Sequence, residues 1–259
     1  MQAKITIITI NLNNAAGLEQ TIRSVISQPY QQIEYIVIDG DSKDESKEIL
    51  KKYSANVHTI ISEKDTGIYN AMNKGIAKAN GEYLLFLNSG DTLMPGNPLE
   101  QLVKEGNNAD VIYGNIKTTE GKKFKEVVFP SVLSFKFFYI NSLPHPCTLI
   151  RKMLFDKIGL YREDFKIASD WAFFTLAICK YNCSYKHVNT TVTNFMLGGL
   201  SSTQLGKIAM EREQMLKEHF PAFANDYKEL YETADALNEA KKQFGYRAYR
   251  KFRNLFVRN

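Results

Sequence analysis

Glu82-Tyr-Leu-Leu-Phe-Leu-Asn-Ser-Gly-Asp91 passes from an apolar run, Tyr83 to Leu87, to a polar turn in a single step. A short apolar run bounded by turn formers reads as a strand buried on both faces, as in a parallel sheet under helices. Such a strand has no room for a carboxylate inside it. Asp91 therefore sits just past the carboxyl end, where open α/β sheets bind ligands. Gly90 permits a backbone conformation other residues avoid, so Asp91 can be aimed inward. An acid in that crevice suits a divalent cation carrying phosphates. The same four residues also suit an ordinary turn that caps a helix.

The residues before this stretch repeat its pattern. Lys4 to Leu12 reads as a first strand, with Thr6 and Thr9 between isoleucines, and it ends in the polar loop Asn11-Leu-Asn-Asn14. Leu18, Ile22, Val25 and Ile26 recur at helical spacing before Gln28-Pro29 stops the helix. Ile33 to Ile38 is a second apolar strand and runs into Asp39-Gly-Asp41. A short helix over Ser46–Tyr53, a strand over Val57–Ile61 and an amphipathic helix from Ile68 to Ala79 complete the series. Strands alternating with short helices imply a parallel sheet joined by right-handed crossovers. Several strand ends carry polar or acidic residues: Asn11, Asp39 with Asp41, and Asp91. A dinucleotide-binding fold would need a glycine-rich turn after the first strand. The turn here holds one glycine, Gly17, and no Gly-Lys-Ser/Thr phosphate loop exists. The same absence weighs against a sugar nucleotidyltransferase, which must grip a triphosphate.

Composition fits a globular α/β protein: 259 residues, 44% hydrophobic and 24% charged. No apolar run approaches the roughly 18 residues of a membrane span. The early isoleucines read as a strand and not as a leader, so a cytoplasmic protein is expected. Residues 241–259 hold seven basic residues and no acid, against 26 basic and 28 acidic residues in the first 240. A near-neutral body argues against nucleic-acid binding. The basic, aromatic tail suits an anionic membrane surface, which makes the protein peripheral on the inner face of the membrane. A solvated tail or a partner-docking helix reads from the same residues. Cys147, Cys179 and Cys183 are too few for a disulfide framework. Cys179, Cys183 and His187 lack a fourth ligand nearby for zinc.

Downstream, Ala109–Ile116 and Lys122–Phe129 read as strands around a Glu120-Gly121 turn. An aromatic segment, Ser131–Ile140, reads as core. His145 stands between Pro144 and Pro146 in a stiff loop, lining an acceptor site or filling a turn. Met153–Gly159 reads as a helix, and a second helix runs from about Ser169 to Tyr181, with Ser169 or Asp170 suited to its N-cap. Val192–Leu197 reads as a strand leading to Gly198-Gly199, a lid or a tight turn. Gln204–Glu239 is helical and broken at Pro221.

These motifs together resemble a family 2 glycosyltransferase of the GT-A fold. The matching segments are the first strand ending near Asn11, Ile36-Val-Ile-Asp39-Gly-Asp-Ser42, Asp65-Thr-Gly-Ile-Tyr-Asn-Ala-Met-Asn-Lys-Gly75, Gly81 to Asp91, and Ala168-Ser-Asp170-Trp171. The resemblance implies a Rossmann-like, mixed but mostly parallel sheet flanked by helices over residues 1–203. Residues 1–91 would bind nucleotide sugar, 92–203 would take the acceptor, and 204–259 would form a helical basic extension. It implies an inverting transfer from a nucleotide-diphosphate sugar, UDP-sugar foremost, to a hydroxyl of a glycan or lipid-linked acceptor in cell-surface polysaccharide synthesis, with Mg²⁺ or Mn²⁺. Asp39 would hold the uracil or ribose, and Thr9, Asn11, Asp65, Asn73, Lys74 and Asn88 would lie on the nucleotide side. Asp91 would hold the metal, and Asp170 would be the general base. His145, Trp171, Gly198 and Gly199 would face the acceptor. The family's last strand-end motif is usually Asp-any-Asp. Here Asn88 stands first and only Asp91 is a carboxylate, so a weaker hold on metal, or a catalytically silent binding subunit, follows from the departure.

Overall fold

The computed structural model describes residues 3–120, 123–196 and 204–242, together with 245, 248, 249 and 251. Its strands are β1 (Ile5–Asn11), β2 (Ile33–Asp39), β3 (Thr59–Ser62), β4 (Tyr83–Asn88), β5 (Thr92–Leu93), β6 (Val111–Glu120), β7 (Lys123–Val127), β8 (Thr148–Arg151) and β9 (Tyr185–Met196). Its helices are α1 (Ala15–Ile26), α2 (Ser46–Lys52), α3 (Ile68–Lys78), α4 (Pro98–Glu105), α5 (Phe135–Ile140), α6 (Met153–Ile158), α7 (Ser169–Thr175), α8 (Leu205–His219) and α9 (Pro221–Lys242). Met1–Ile208 and Ala209–Asn259 form two compact units.

One nine-stranded sheet runs β3-β2-β1-β4-β8-β6-β9-β5, with β7 paired to β6. β3, β2, β1 and β4 are mutually parallel. β8 enters antiparallel between β4 and β6. β6 and β9 return to parallel over a long, bulged register. The sheet is mixed, with most of its registered residue pairs parallel.

Every residue of β1 is buried, and β2 and β4 are buried but for one end residue each. That continuous burial follows from cover on both faces. On one face, α1 packs Leu18, Ile22 and Val25 against Ile5, Ile7, Val37, Leu85 and Leu87. On the other, α3 approaches β1 so closely that a Cβ on Gly75 would sit 2.5 Å from Ile8 Cγ2.

The first four strands fall within a residue or two of their sequence reading. The second half departs further. β8 has only four residues, too few for a periodic signal. β9 begins at Tyr185, seven residues before the expected Val192, because its alternating Lys, Asn and Thr hide a half-buried strand. α7 ends at Thr175 and continues as a π-helical turn, Leu176–Lys180. Its N-cap is Ala168, which places Asp170 inside the first turn and corrects the capping alternative. Of the aromatic helix α5, only Phe138 is buried.

In the second unit, Pro221 opens α9 at the position where a missing N–H costs nothing. α9 has no buried residue. No helix among the described residues is long and apolar enough to cross a membrane. Gly198 and Gly199, and most of the basic tail, lie outside the described residues.

Candidate active site

The carboxyl ends of the parallel strands are joined by a line of buried and half-buried hydrogen bonds. Asn11 is level with Asp39 across β1 and β2, and Asp39 with Ser62 across β2 and β3. Ser62 Oγ donates to Asp39 Oδ2 at 2.7 Å, Asn11 Nδ2 donates to Asp39 Oδ1 at 2.8 Å, and Ser89 Oγ donates to Asn11 Oδ1 at 2.7 Å. Ser42 adds its backbone N–H and its hydroxyl to Asp39 at 3.1 and 2.5 Å. These bonds use about all four acceptor positions of a carboxylate, and Asp39 is 0% exposed. Thr9 is also buried and accepts from Tyr35 Oη at 3.1 Å. Asn11 Nδ2 also donates to Ser46 Oγ at 2.9 Å, so Asn11, Asp39, Ser42, Ser46 and Ser89 form one network at the strand ends.

The turn that follows β4 is held by α1. Asn14, the N-cap of α1, donates its Nδ2 to Ser89 O at 2.9 Å. Thr21 Oγ1 accepts from Gly90 N at 2.9 Å and donates to Asp91 O at 2.7 Å. Gly90 sits at φ 107°, the left-handed region the sequence called for. Asp91 is thereby turned inward and is 3% exposed. Burial pushes its carboxyl up to about 6, against the countervailing charge of His145 and backbone hydrogen bonds from Asn88 and Met196. A desolvated carboxylate is the donor a divalent ion would take. Among the described residues no three His, Cys, Asp or Glu side chains gather around one point. A cation held at Asp91 would need further ligands from outside these side chains, such as diphosphate oxygens.

His145 lies in a one-turn 3₁₀ helix, His145–Cys147, between the stiffening prolines and β8. Thr193 of β9 donates its hydroxyl to Pro146 O. The same strand pairs Asn194 with Thr92, one residue beyond Asp91. β9 thus ties the His145 turn and the Asp91 turn to one rail. His145 Nδ1 is 2.9 Å from Asp170 Oδ2, while His145 Nε2 is buried and has no hydrogen-bond partner. Asn88 Oδ1, at the end of β4, is likewise buried and unpartnered.

Asp170 receives two further donors on Oδ1: Tyr69 Oη at 3.0 Å and Trp171 N at 2.8 Å. Burial pushes its carboxyl up, but the His145 hydrogen bond and charge, the Trp171 N–H and Tyr69 outweigh that and hold it below the usual carboxylate range. Asp170 is therefore ionised at neutral pH, with one lone pair of Oδ2 left over. Tyr69, from α3, was not singled out by sequence. Its place in the Asp65–Gly75 segment, one residue past Ile68, was the available signal.

The remaining candidates separate. Asp65 packs against the backbone of Gly40, where a Cβ would meet its Oδ2 at 2.5 Å. Asn73 gives its Nδ2 to Tyr161 O and Glu163 Oε1, and its Oδ1 accepts from Tyr161 N, so it ties α3 to the 161–163 loop. Lys74 Nζ contacts Lys64 O at 2.8 Å and Glu63 at 2.7 Å. Asp41, at φ 63°, is paired with Lys43 and Lys47. Trp171 is 1% exposed and its indole N–H is bonded to Phe138 O, an anchor between α7 and α5. The three cysteines are free, with burial raising each thiol, and His187 pairs with Asn115.

Comparison with known proteins agrees with this architecture. Residues 6–159 match the glycosyl transferase family 2 model. That region takes in Asp39, Asp91 and His145 and stops short of Asp170. A PGL/p-HBAD biosynthesis glycosyltransferase of Mycobacterium tuberculosis is 28% identical over 218 residues, 81% of this chain and 84% of the relative. An uncharacterised glycosyltransferase of the same species is 34% identical over 184 residues, 67% of this chain and 68% of the relative. Among solved structures, S. aureus TarS 1–349 has a TM-score of 0.65 at 18% identity, covering 84% of this chain and 66% of that one. The mannosyltransferase PcManGT of Pyrobaculum calidifontis has a TM-score of 0.55 at 15% identity, covering 86% and 64%. A parallel half-sheet with its strand-end acids, and a family match that runs through it, lead to one assignment: this chain belongs to glycosyltransferase family 2.

Proposed function

We propose that the protein is an inverting, metal-assisted glycosyltransferase that uses a UDP-sugar and a hydroxyl of a glycan or lipid-linked acceptor. The observation that carries this reading is the contact of Asp170, in the first turn of α7, with His145, in the turn before β8. In the proposed step the acceptor oxygen attacks C1 of the donor sugar, its proton passes to the remaining lone pair of Asp170 Oδ2, and the C1–O bond to the diphosphate breaks. Its electron pair goes to the departing phosphate oxygen, and C1 inverts. A leaving diphosphate needs charge compensation and no acid, which a cation held at Asp91 supplies when bound. Asp170 is suited to the base role because Tyr69, Trp171 and His145 fix it in place and keep it ionised.

On the nucleotide side, Asp39 would hold the base or ribose, with Asp65 beside it. Ser62 is exposed, so its hydroxyl can swing away and open Asp39 to the base. Complexes of TarS with UDP and UDP-GlcNAc, and of PcManGT with GDP-Man and Mn²⁺, support a nucleotide-sugar donor and a cation. The basic tail supports an acceptor carried at an anionic membrane surface. The test is UDP release from a panel of UDP-sugars with Mn²⁺. Asp170→Asn, at saturating metal and donor, is expected to lower kcat by about 10²–10⁴-fold. Transfer within a few-fold of wild type would remove Asp170 as the base.

A further inference from the structure

We infer that Glu163 is a positioning residue for Asp170: by clamping the chain between α6 and α7 to α3, it fixes where the proposed base stands. This role rests on the reading of Asp170 as the base, and it gives Asn73 a part in the same clamp. Residues 159–168 are neither helix nor strand, so no ladder of backbone bonds sets their path. Asp170 follows in the first turn of α7. Buried Tyr161 and Phe165 hold the segment against the core, and the Tyr161 ring meets those of Tyr69, Phe86, Phe155 and Phe173. Apolar contact holds a chain down without fixing its direction.

Direction comes from one side of α3, where Tyr69, Asn70 and Asn73 stand at i, i+1 and i+4. Asn73 exchanges two hydrogen bonds with the backbone of Tyr161: its Nδ2 donates to the carbonyl at 2.9 Å, and its Oδ1 accepts from the N–H at 3.1 Å. The Glu163 carboxylate accepts from Asn73 Nδ2 on Oε1 at 3.0 Å and from Asn70 Nδ2 on Oε2 at 2.9 Å. Tyr69 Oη lies 2.5 Å from Ile167 O and 3.0 Å from Asp170 Oδ1. Arg162 N donates to Ser169 Oγ at 2.6 Å, which joins the neighbour of Glu163 to the neighbour of Asp170. A carboxylate suits position 163 because it only accepts, whereas an amide there would turn a donor toward one of the two asparagines. Glu163 is exposed, and changes at exposed positions move stability little. Misplacing a reacting group by about 1 Å costs about 10²-fold in rate. Loss of the clamp should therefore cost rate out of proportion to stability.

The experiment measures UDP release to water, with Mn²⁺ and the UDP-sugar the wild type turns over fastest, on the full chain and beside urea unfolding. Glu163→Gln is expected to lower kcat about 10–100-fold and to leave donor KM within about twofold. Its urea midpoint should stay within about 0.5 M of the wild type. Asn70→Asp alone sets two carboxylates face to face and should lower kcat by a similar factor. Asn70→Asp combined with Glu163→Gln restores both bonds with one donor and acceptor exchanged, so kcat should return to within about threefold of the wild type. Wild-type kcat in Glu163→Gln, or a double variant no faster than either single one, overturns the role of Glu163; a low kcat in Asp170→Asn then leaves the transferase reading intact. UDP release that is absent from the wild type, or that Asp170→Asn does not lower, overturns the base reading and the role of Glu163 with it.

Discussion

Asp91→Asn is expected to make the metal-free protein more stable while abolishing the proposed metal-assisted transfer. Burial raises the Asp91 carboxyl from 3.8 to about 6. Between these values the folded state holds a proton that the unfolded state has released, so stability falls as pH rises through the interval. Above pH 6 the whole shift acts against folding. A shift of roughly 2 units at about 1.4 kcal/mol each comes to about 3 kcal/mol. Asparagine keeps an oxygen to accept from Asn88 N, which now bonds Asp91 Oδ2 at 3.1 Å, and carries no charge to desolvate. Urea and thermal unfolding in EDTA at pH 8 should therefore favour the variant by about 2–3 kcal/mol, or roughly 5–10 °C in Tm. The difference should shrink to about 1 kcal/mol near pH 4.5. Mn²⁺ with UDP should stabilise the wild type and leave the variant unmoved. A variant that is no more stable at pH 8, or an advantage that does not change with pH, would refute the assignment of the raised carboxyl to Asp91.

Other perturbations test separate parts of the site. Metal-dependent UDP affinity should fall by up to tenfold per pH unit below about 6, as protons compete for Asp91; calorimetry from pH 5 to 8 checks this, and a flat profile counts against the Asp91 ligand. Tyr69→Phe removes a donor from Asp170, so the acid limb of the kcat profile should move to higher pH while donor KM stays within a few-fold; the lost hydrogen bond should cost about 1–2 kcal/mol in unfolding. Gly75→Ala would gain about 1 kcal/mol of helix propensity but drives a Cβ to 2.5 Å from Ile8. Overpacking of about 1–3 kcal/mol should win, seen as a lowered urea midpoint with unchanged kcat.

The parallel half of the sheet was legible because its signal is local. Strands buried on both faces are mostly apolar, and the chain turns polar where each ends, so β1, β2 and β4 announced both their length and their polar ends. Gly90 was readable for the same reason: an inward acid after a strand needs the left-handed backbone found there. The polar network around Asp39 was only half legible. Asn11 and Asp39 stood out as strand ends, but Ser42, Ser62 and Ser89 become partners only when β1, β2, β3 and β4 lie side by side.

Sequence alone determined the alternation of strands and helices, the position of Asp91 at a carboxyl end, and the candidacy of Asp170. It could not say that Asp170 and His145, 25 residues apart, share a hydrogen bond, or that Tyr69 completes the set from α3. That convergence depends on β8 inserting antiparallel beside β4 and on β9 bridging the Asp91 and His145 turns. Both are made by backbone hydrogen bonds, which are common to every residue type and leave little trace in a four-residue strand or a polar one. Only the tertiary structure could make Asp170 and His145 partners, because the chain between them carries no local signal of the contact.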